Sequence, residues 1–183
     1  NYMQEAAKNT CISVKYMMPS CVPATSLEDA GYIVKAEDMS DDIANEDVPG
    51  LGEFMDYNAI ISKDKIALDK IMLAKLNKKV VDGHSPNLFG KDLNAYLCAG
   101  IDTDHECSTL DEMTDRLSRG VYVQLRQGSA CHNLEALIPG IDEFNFRRCL
   151  LCSDDRQPKT IFEDGHLEYH LKKLVNAGIS PVM

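Results

Sequence analysis

The chain has 183 residues, 44% of them hydrophobic, enough to bury one sizeable core. Its 19 basic and 29 acidic residues leave a formal charge of −10, which argues against nucleic acid or an anionic membrane as the main partner. No apolar run approaches membrane-spanning length and the N-terminus lacks a signal-peptide pattern, so a soluble, cytoplasmic protein is expected.

Residues 1–9 resemble the end of a helix, with Ala6, Ala7 and Lys8 and no initiator methionine in front, so the sequence reads as beginning in mid-domain. Alternation from Cys11 to Met18 predicts a strand, broken by Pro19 and Pro23. Ser26-Leu27-Glu28-Asp29 reads as a helix start with acid in the first turn. The acids from Glu37 to Asp47 predict a solvated helix face and loop, without the ordered spacing of a calcium site. In Val48 to Met55, Gly50 and Gly52 flank Leu51 and lead into Glu53, which suits a short strand closely approached by another backbone. Ser62 to Leu76 predicts an amphipathic helix, capped by Ser62 and apolar at Ile66, Ala67, Ile71, Leu73 and Leu76.

Val80-Val81-Asp82-Gly83-His84 then reads as a strand ending in a histidine. Gly90 to Ala99, with Leu93, Tyr96 and Leu97 at helical spacing, leads to a second run ending Asp102-Thr103-Asp104-His105-Glu106. A connection of this length favours a right-handed parallel crossover, which places both histidines at the C-terminal ends of neighbouring strands. Thr109 and Glu112 have capping-box spacing at the start of a helix over 108–118, with Leu110, Met113 and Leu117 on its buried side. Val121 to Arg126 is the next strand, Leu134 to Ile138 a short helix, and Arg148 to Ser153 the last strand, followed by Asp154-Asp155-Arg156. A closing helix spans His166 to Ala177, with Leu167, Leu171, Leu174 and Val175 on one face. That makes about six strand-then-helix units, the pattern of a parallel α/β fold and short of the eight of a closed barrel.

Seven cysteines cannot all pair within one chain, so reduced, largely buried thiols are expected. Cys149-Leu150-Leu151-Cys152 has the spacing of a zinc or redox motif, but the second pair that a structural zinc site needs is missing.

The chemistry stands at the predicted strand ends: Glu53, His84, His105 with Glu106, Arg126 with Ser129, and Asp154 with Asp155. Any one alone is more often a surface or capping residue. Two imidazoles and one or two carboxylates from separate strands form a ligand set for a divalent transition metal, and a further carboxylate can take a proton from metal-bound water.

Gly50-Leu51-Gly52-Glu53-Phe54-Met55, Asp82-Gly83-His84-Ser85-Pro86, Leu93-Asn94-Ala95-Tyr96, Asp104-His105-Glu106, Arg126-Gln127-Gly128-Ser129-Ala130 and Ser153-Asp154-Asp155-Arg156, with Pro19 to Thr25, carry a resemblance. In this order they resemble the bacterial-type adenine deaminases of the amidohydrolase superfamily, along essentially the whole chain. The resemblance implies a (β/α)8 barrel with a binuclear centre of manganese or iron that converts adenine and water to hypoxanthine and ammonia. It implies a single partial barrel domain over 1–183, strands 3 to 8, without the first strands and the small β domain. Glu53 would bridge the two metals, His84 and His105 would bind one of them, and Asp154 would bind metal and shuttle the proton. Asp154 is preferred to Asp155 as the first acid after its strand, although spacing alone does not decide between them. Glu106 is a candidate acid, or a partner orienting His105; Arg126 and Ser129 hold substrate or shape the seventh loop, with a structural salt bridge as the alternative for Arg126.

Two departures from the family pattern stand out. Gln127 occupies the place of a glutamate, and the His-x-His pair of the first strand is absent from this chain. His166 and His170, four apart on the last helix, read as surface or packing residues. The resemblance thus implies an internal fragment whose metal centre is incomplete by itself, with adenine as the small-molecule partner and a homo-oligomer allowed. Another amidohydrolase acting on a cyclic amide or nucleobase, and a noncatalytic α/β scaffold, are the alternatives.

Overall fold

A computed structural model describes residues 2–182. The chain is α/β and forms two compact units. One runs through Gly83 and includes Ala95–Ile101; the other comprises His84–Asn94 and the chain from Asp102 onward.

In the first unit, α1 (Tyr2–Ala7) and α2 (Ala36–Ile43) precede β1 (Gly50–Phe54), and α3 (Tyr57–Ile61) and α4 (Lys65–Leu76) lead to β2 (Val80–Gly83). The acid-rich α2 buries only Met39 and Ile43, as a solvated helix face should. β1 and β2 pair in parallel, with Leu51 opposite Val81. Gly50 is required there, because a Cβ would lie 2.3 Å from the Val80 carbonyl oxygen and 2.7 Å from Met17 Cε. The close approach expected at the two glycines is therefore real.

The strand expected over Cys11 to Met18 shrinks to one parallel bridge between Met18 and Leu51. There the Met18 N–H donates to Gly50 O at 2.8 Å and the Gly52 N–H to Met18 O at 2.7 Å. Nor does a helix begin at Ser26. Acid after a serine is not enough without an apolar stripe behind it, and Leu27 is exposed.

Ser62 closes α3 rather than opening α4; Asp64 is the N-cap, accepting from Ala67 N at 2.9 Å. The buried face of α4 is Ala67, Lys70, Ile71 and Ala74, while Ile66 and Leu76 are exposed. Lys70 survives burial because its Nζ donates to Ser20 O at 2.8 Å. At the end of β1, the buried Tyr96 hydroxyl donates to Phe54 O at 2.7 Å.

Helix α5 (Gly90–Cys98) contributes residues to both units. The second unit continues with β3 (Thr103–Asp104), α6 (Leu110–Leu117), β4 (Tyr122–Arg126), α7 (Leu134–Leu137), β5 (Cys149–Cys152), α8 (Pro158–Asp164) and α9 (Leu167–Asn176). β3, β4 and β5 pair in parallel, with Asp104 opposite Val123 and Arg126 opposite Cys152. Cys107, Met113, Val123, Leu125, Leu134, Leu137 and Ile138 form its core, which buries one face of the sheet under α6 and α7. The expected capping box opens α6: Thr109 Oγ1 accepts from Glu112 N, and the Glu112 carboxylate accepts from Thr109 N.

Five strands are present among the described residues, so the first of the six expected strand-helix units has no strand. Helix α8 was not anticipated by apolar periodicity, and it buries no residue. On α9, Leu174 packs against the core but Leu167, Leu171 and Val175 are exposed; the fully buried side chain is His170. The cysteines are unpaired as expected but not largely buried, since only Cys107 is, and Cys11 and Cys98 are exposed. Burial pushes the Cys149 thiol up to about 11.

Candidate metal centre

The ends of β3, β4 and β5 bring side chains together within the second unit. His84 follows β2 directly in sequence, and its ring stands edge-on to that of His105, with centroids 5.5 Å apart. Glu106 lies between them: its Oε1 is 3.4 Å from His84 Nδ1 and 3.4 Å from His105 Nε2. His105, Glu106 and Asp154 each offer a ligand atom within 4.8 Å of the others.

Arg126, the last residue of β4, joins the carboxylates. Its Nη1 donates to Asp154 Oδ2 at 2.8 Å and also to Glu106 Oε1, and its Nη2 donates to Glu106 Oε2 at 3.1 Å. Burial alone would favour losing the proton, but the hydrogen bonds to Glu106 and Asp154 outweigh it and raise the guanidinium pKa. The planar fork suits this work, since it can grip one carboxylate with both nitrogens and still reach a second.

Asp154 and Asp155 differ in what they face. Asp154 sits in the left-handed region, at φ 42°, which turns its carboxylate to Arg126. Asp155 instead accepts from Ser129 N at 3.0 Å and Ala130 N at 2.8 Å. Burial would raise its carboxyl pKa, but the backbone N–H groups of Ala130, Ser129 and Cys131 hold it below the usual carboxylate range. The turn after β5 thus sends the two acids to different partners.

Ser129 is outside the cluster. Its hydroxyl donates to Thr160 Oγ1 at 2.8 Å and accepts from Gln157 N at 2.8 Å, so it fastens the seventh loop to the start of α8. Gln127 is buried, with Nε2 2.8 Å from His132 Nδ1 and no hydrogen-bond partner for Oε1. Glu53 stands on β1 in the first unit, where its carbonyl oxygen accepts from Cys21 Sγ at 2.9 Å and from the Ser20 hydroxyl.

Two further residues beside this site were not among the candidates named at the strand ends. Asp104 and Arg116 are fully buried and paired, Nε to Oδ2 at 2.9 Å. An arginine on the apolar side of a helix, beside Met113, was the available clue.

No family model matches the chain. It is 50% identical over 183 residues to "Adenine deaminase 2" of Desulfotalea psychrophila, covering 100% of the chain and 32% of that relative. It is 46% identical over 181 residues to an adenine deaminase of Nitratidesulfovibrio vulgaris strain Hildenborough, covering 99% and 32%. With an adenine deaminase of Clostridium acetobutylicum the identity is 44% over 178 residues, covering 97% and 31%. Over nearly its whole length the chain is similar to a segment of these adenine deaminases. It spans about a third of the length of the curated relatives it matches.

Imidazole nitrogens and carboxylate oxygens suit a divalent transition metal of intermediate softness. His105, Glu106 and Asp154 have the donor types and the spacing to hold one, with His84 beside them. Among the described residues, no cysteine belongs to a group of this kind.

Proposed function

We propose that the complete protein is a metal-dependent hydrolase that deaminates adenine to hypoxanthine and ammonia in the cytoplasm. The names of the relatives support the substrate. The observation that carries the chemistry is the convergence of His105, Glu106 and Asp154 within 4.8 Å, from the ends of two strands separated by β4. By match to the family pattern, the complete protein would hold manganese or iron, and Glu53 would be among the residues that hold it. The remaining ligands, a His-x-His pair, are absent from this sequence. In this reading the chain is part of a (β/α)8 barrel domain, whose active site lies at the C-terminal ends of its strands.

A divalent metal held there would supply water acidic enough to attack near neutral pH. Attack at the purine C6 builds negative charge on N1, so a proton must be taken from water and one delivered to the ring. Asp154 collects the first, being the carboxylate of the cluster that the Arg126 fork grips by a single oxygen. Glu106, shared by both histidines and gripped by Arg126 through both oxygens, orients the imidazoles and stands next to the acid's position. Arg126 and Ser129 act on adenine indirectly, one holding the two carboxylates and the other the seventh loop.

The test is the complete protein loaded with manganese or iron, assayed for ammonia and hypoxanthine from adenine. Asp154→Asn is expected to lower kcat by about 100-fold or more. A metal-loaded protein that leaves adenine intact, or an Asp154→Asn variant with the full rate, overturns the reading.

A further inference from the structure

We infer that Arg116 is a positioning residue that holds both histidine-bearing loops of the centre through a single guanidinium; this rests on the reading of His84 and His105 as metal ligands. Arg116 lies on α6, wholly buried, and touches neither histidine ring in the hydrogen-bond network around it. Its Nη2 donates to the carbonyl oxygen of Ser85, the residue after His84, and to Ser85 Oγ at 3.2 Å. Its Nε donates at 2.9 Å to Oδ2 of Asp104, the residue before His105. Asp104 closes the arrangement: Oδ2 also accepts the Ser85 hydroxyl, and Oδ1 accepts the Glu106 N–H at 2.8 Å. One planar group thus fixes the backbone after one imidazole and before the other, and through Asp104 the backbone beyond it.

The same helix grips the far ends of both loops. One turn before Arg116, Glu112 accepts from Asn87 N at 2.9 Å, Ser108 N at 2.9 Å and Thr109 N at 3.1 Å. A buried ion pair is weak evidence for stability, because apolar residues of similar volume often serve as well or better. Here a nonpolar side chain would leave the buried Asp104 carboxylate without its counter-charge and the Ser85 carbonyl without this donor, and a lysine could not donate to Asp104 and Ser85 from a rigid plane. The geometry points to a fork selected for the distance and angle between two imidazoles.

The experiment compares Arg116→Lys and Ser85→Ala with the parent in the complete protein. Three quantities are read: the Mn2+ dissociation constant, kcat and KM for adenine, and the side-chain NMR signals of the histidines. For folded Arg116→Lys the dissociation constant is expected to rise about 10- to 100-fold. kcat should fall with KM nearly unchanged, and the His84 and His105 ring signals should shift while His132, His166 and His170 hold theirs. Parent-like metal affinity and ring signals in folded Arg116→Lys overturn the proposal. If Arg116→Lys does not fold, Ser85→Ala decides, because it removes the hydroxyl shared by Arg116 and Asp104; a rise in the dissociation constant with shifted ring signals supports the role, and no change overturns it. A parent that binds no divalent metal defeats the metal-centre reading instead. The ring signals then decide the positioning role alone, moving in both loops if it holds and staying put if it does not.

Discussion

Arg126 and Asp154 meet across the ends of β4 and β5, Nη1 to Oδ2 at 2.8 Å, while the rest of the guanidinium is committed to Glu106. Two acids near two imidazoles would otherwise repel one another, and the arginine is what lets them share a rim before any cation arrives.

Replacing Arg126 by methionine leaves Glu106 and Asp154 facing each other without a counter-charge. Loss of one partner from such a cluster is expected to cost roughly 3 kcal/mol, less in so far as Asp154, with 37% of its side chain exposed, is relieved by water. Urea unfolding of metal-free protein measures it, and divalent metal should restore part of the loss. A variant as stable as the parent without metal contradicts this.

Acid should weaken the second unit through Glu112. Burial pushes its carboxyl up, but the N–H groups of Ser108 and Asn87 and the hydroxyls of Ser108 and Thr109 outweigh it, so the folded pKa lies below the ordinary 4.5. A carboxylate depressed by folding contributes fully above its unfolded value, and the contribution drains away as pH falls through the folded one. Urea midpoints should therefore fall below about pH 4.5, and Glu112→Gln should flatten that decline. Equal slopes in parent and variant would refute the assignment.

At Gly128 a Cβ would lie 1.6 Å from Asp155 Oδ1. Gly128→Ala must expel that carboxylate from the Ser129 and Ala130 N–H groups, a loss of about 1–3 kcal/mol as for an overpacked core. Thermal unfolding gives the figure, and amide exchange at Ser129 and Ala130 should accelerate.

The 183-residue chain contains no His-x-His pair. Expressed alone, it is expected to release no hypoxanthine from adenine. Turnover by the purified segment, free of other deaminases, would contradict this.

How much of this was legible in the letters depended on range. The Thr109–Glu112 capping box, the parallel strands at Val80, Val121 and Cys149, and the tight approach at Gly50 follow from spacing and side-chain size over a few residues. The strand over Cys11 to Met18 and the helix at Ser26 did not form, because alternation or a capping residue is only permissive. A segment becomes a strand when a partner meets its backbone along its length, and only Met18 is met.

The candidate side chains could be named from their places at strand ends and from the family pattern. Their working arrangement could not. The different surroundings of Asp154 and Asp155 rest on a backbone turn at φ 42°, and the commitment of Arg126 and Ser129 rests on partners 28 and 31 residues away. The Arg116–Asp104 pair is hidden for the same reason: a buried charge is intelligible only once its counter-charge, brought in by folding, is in view.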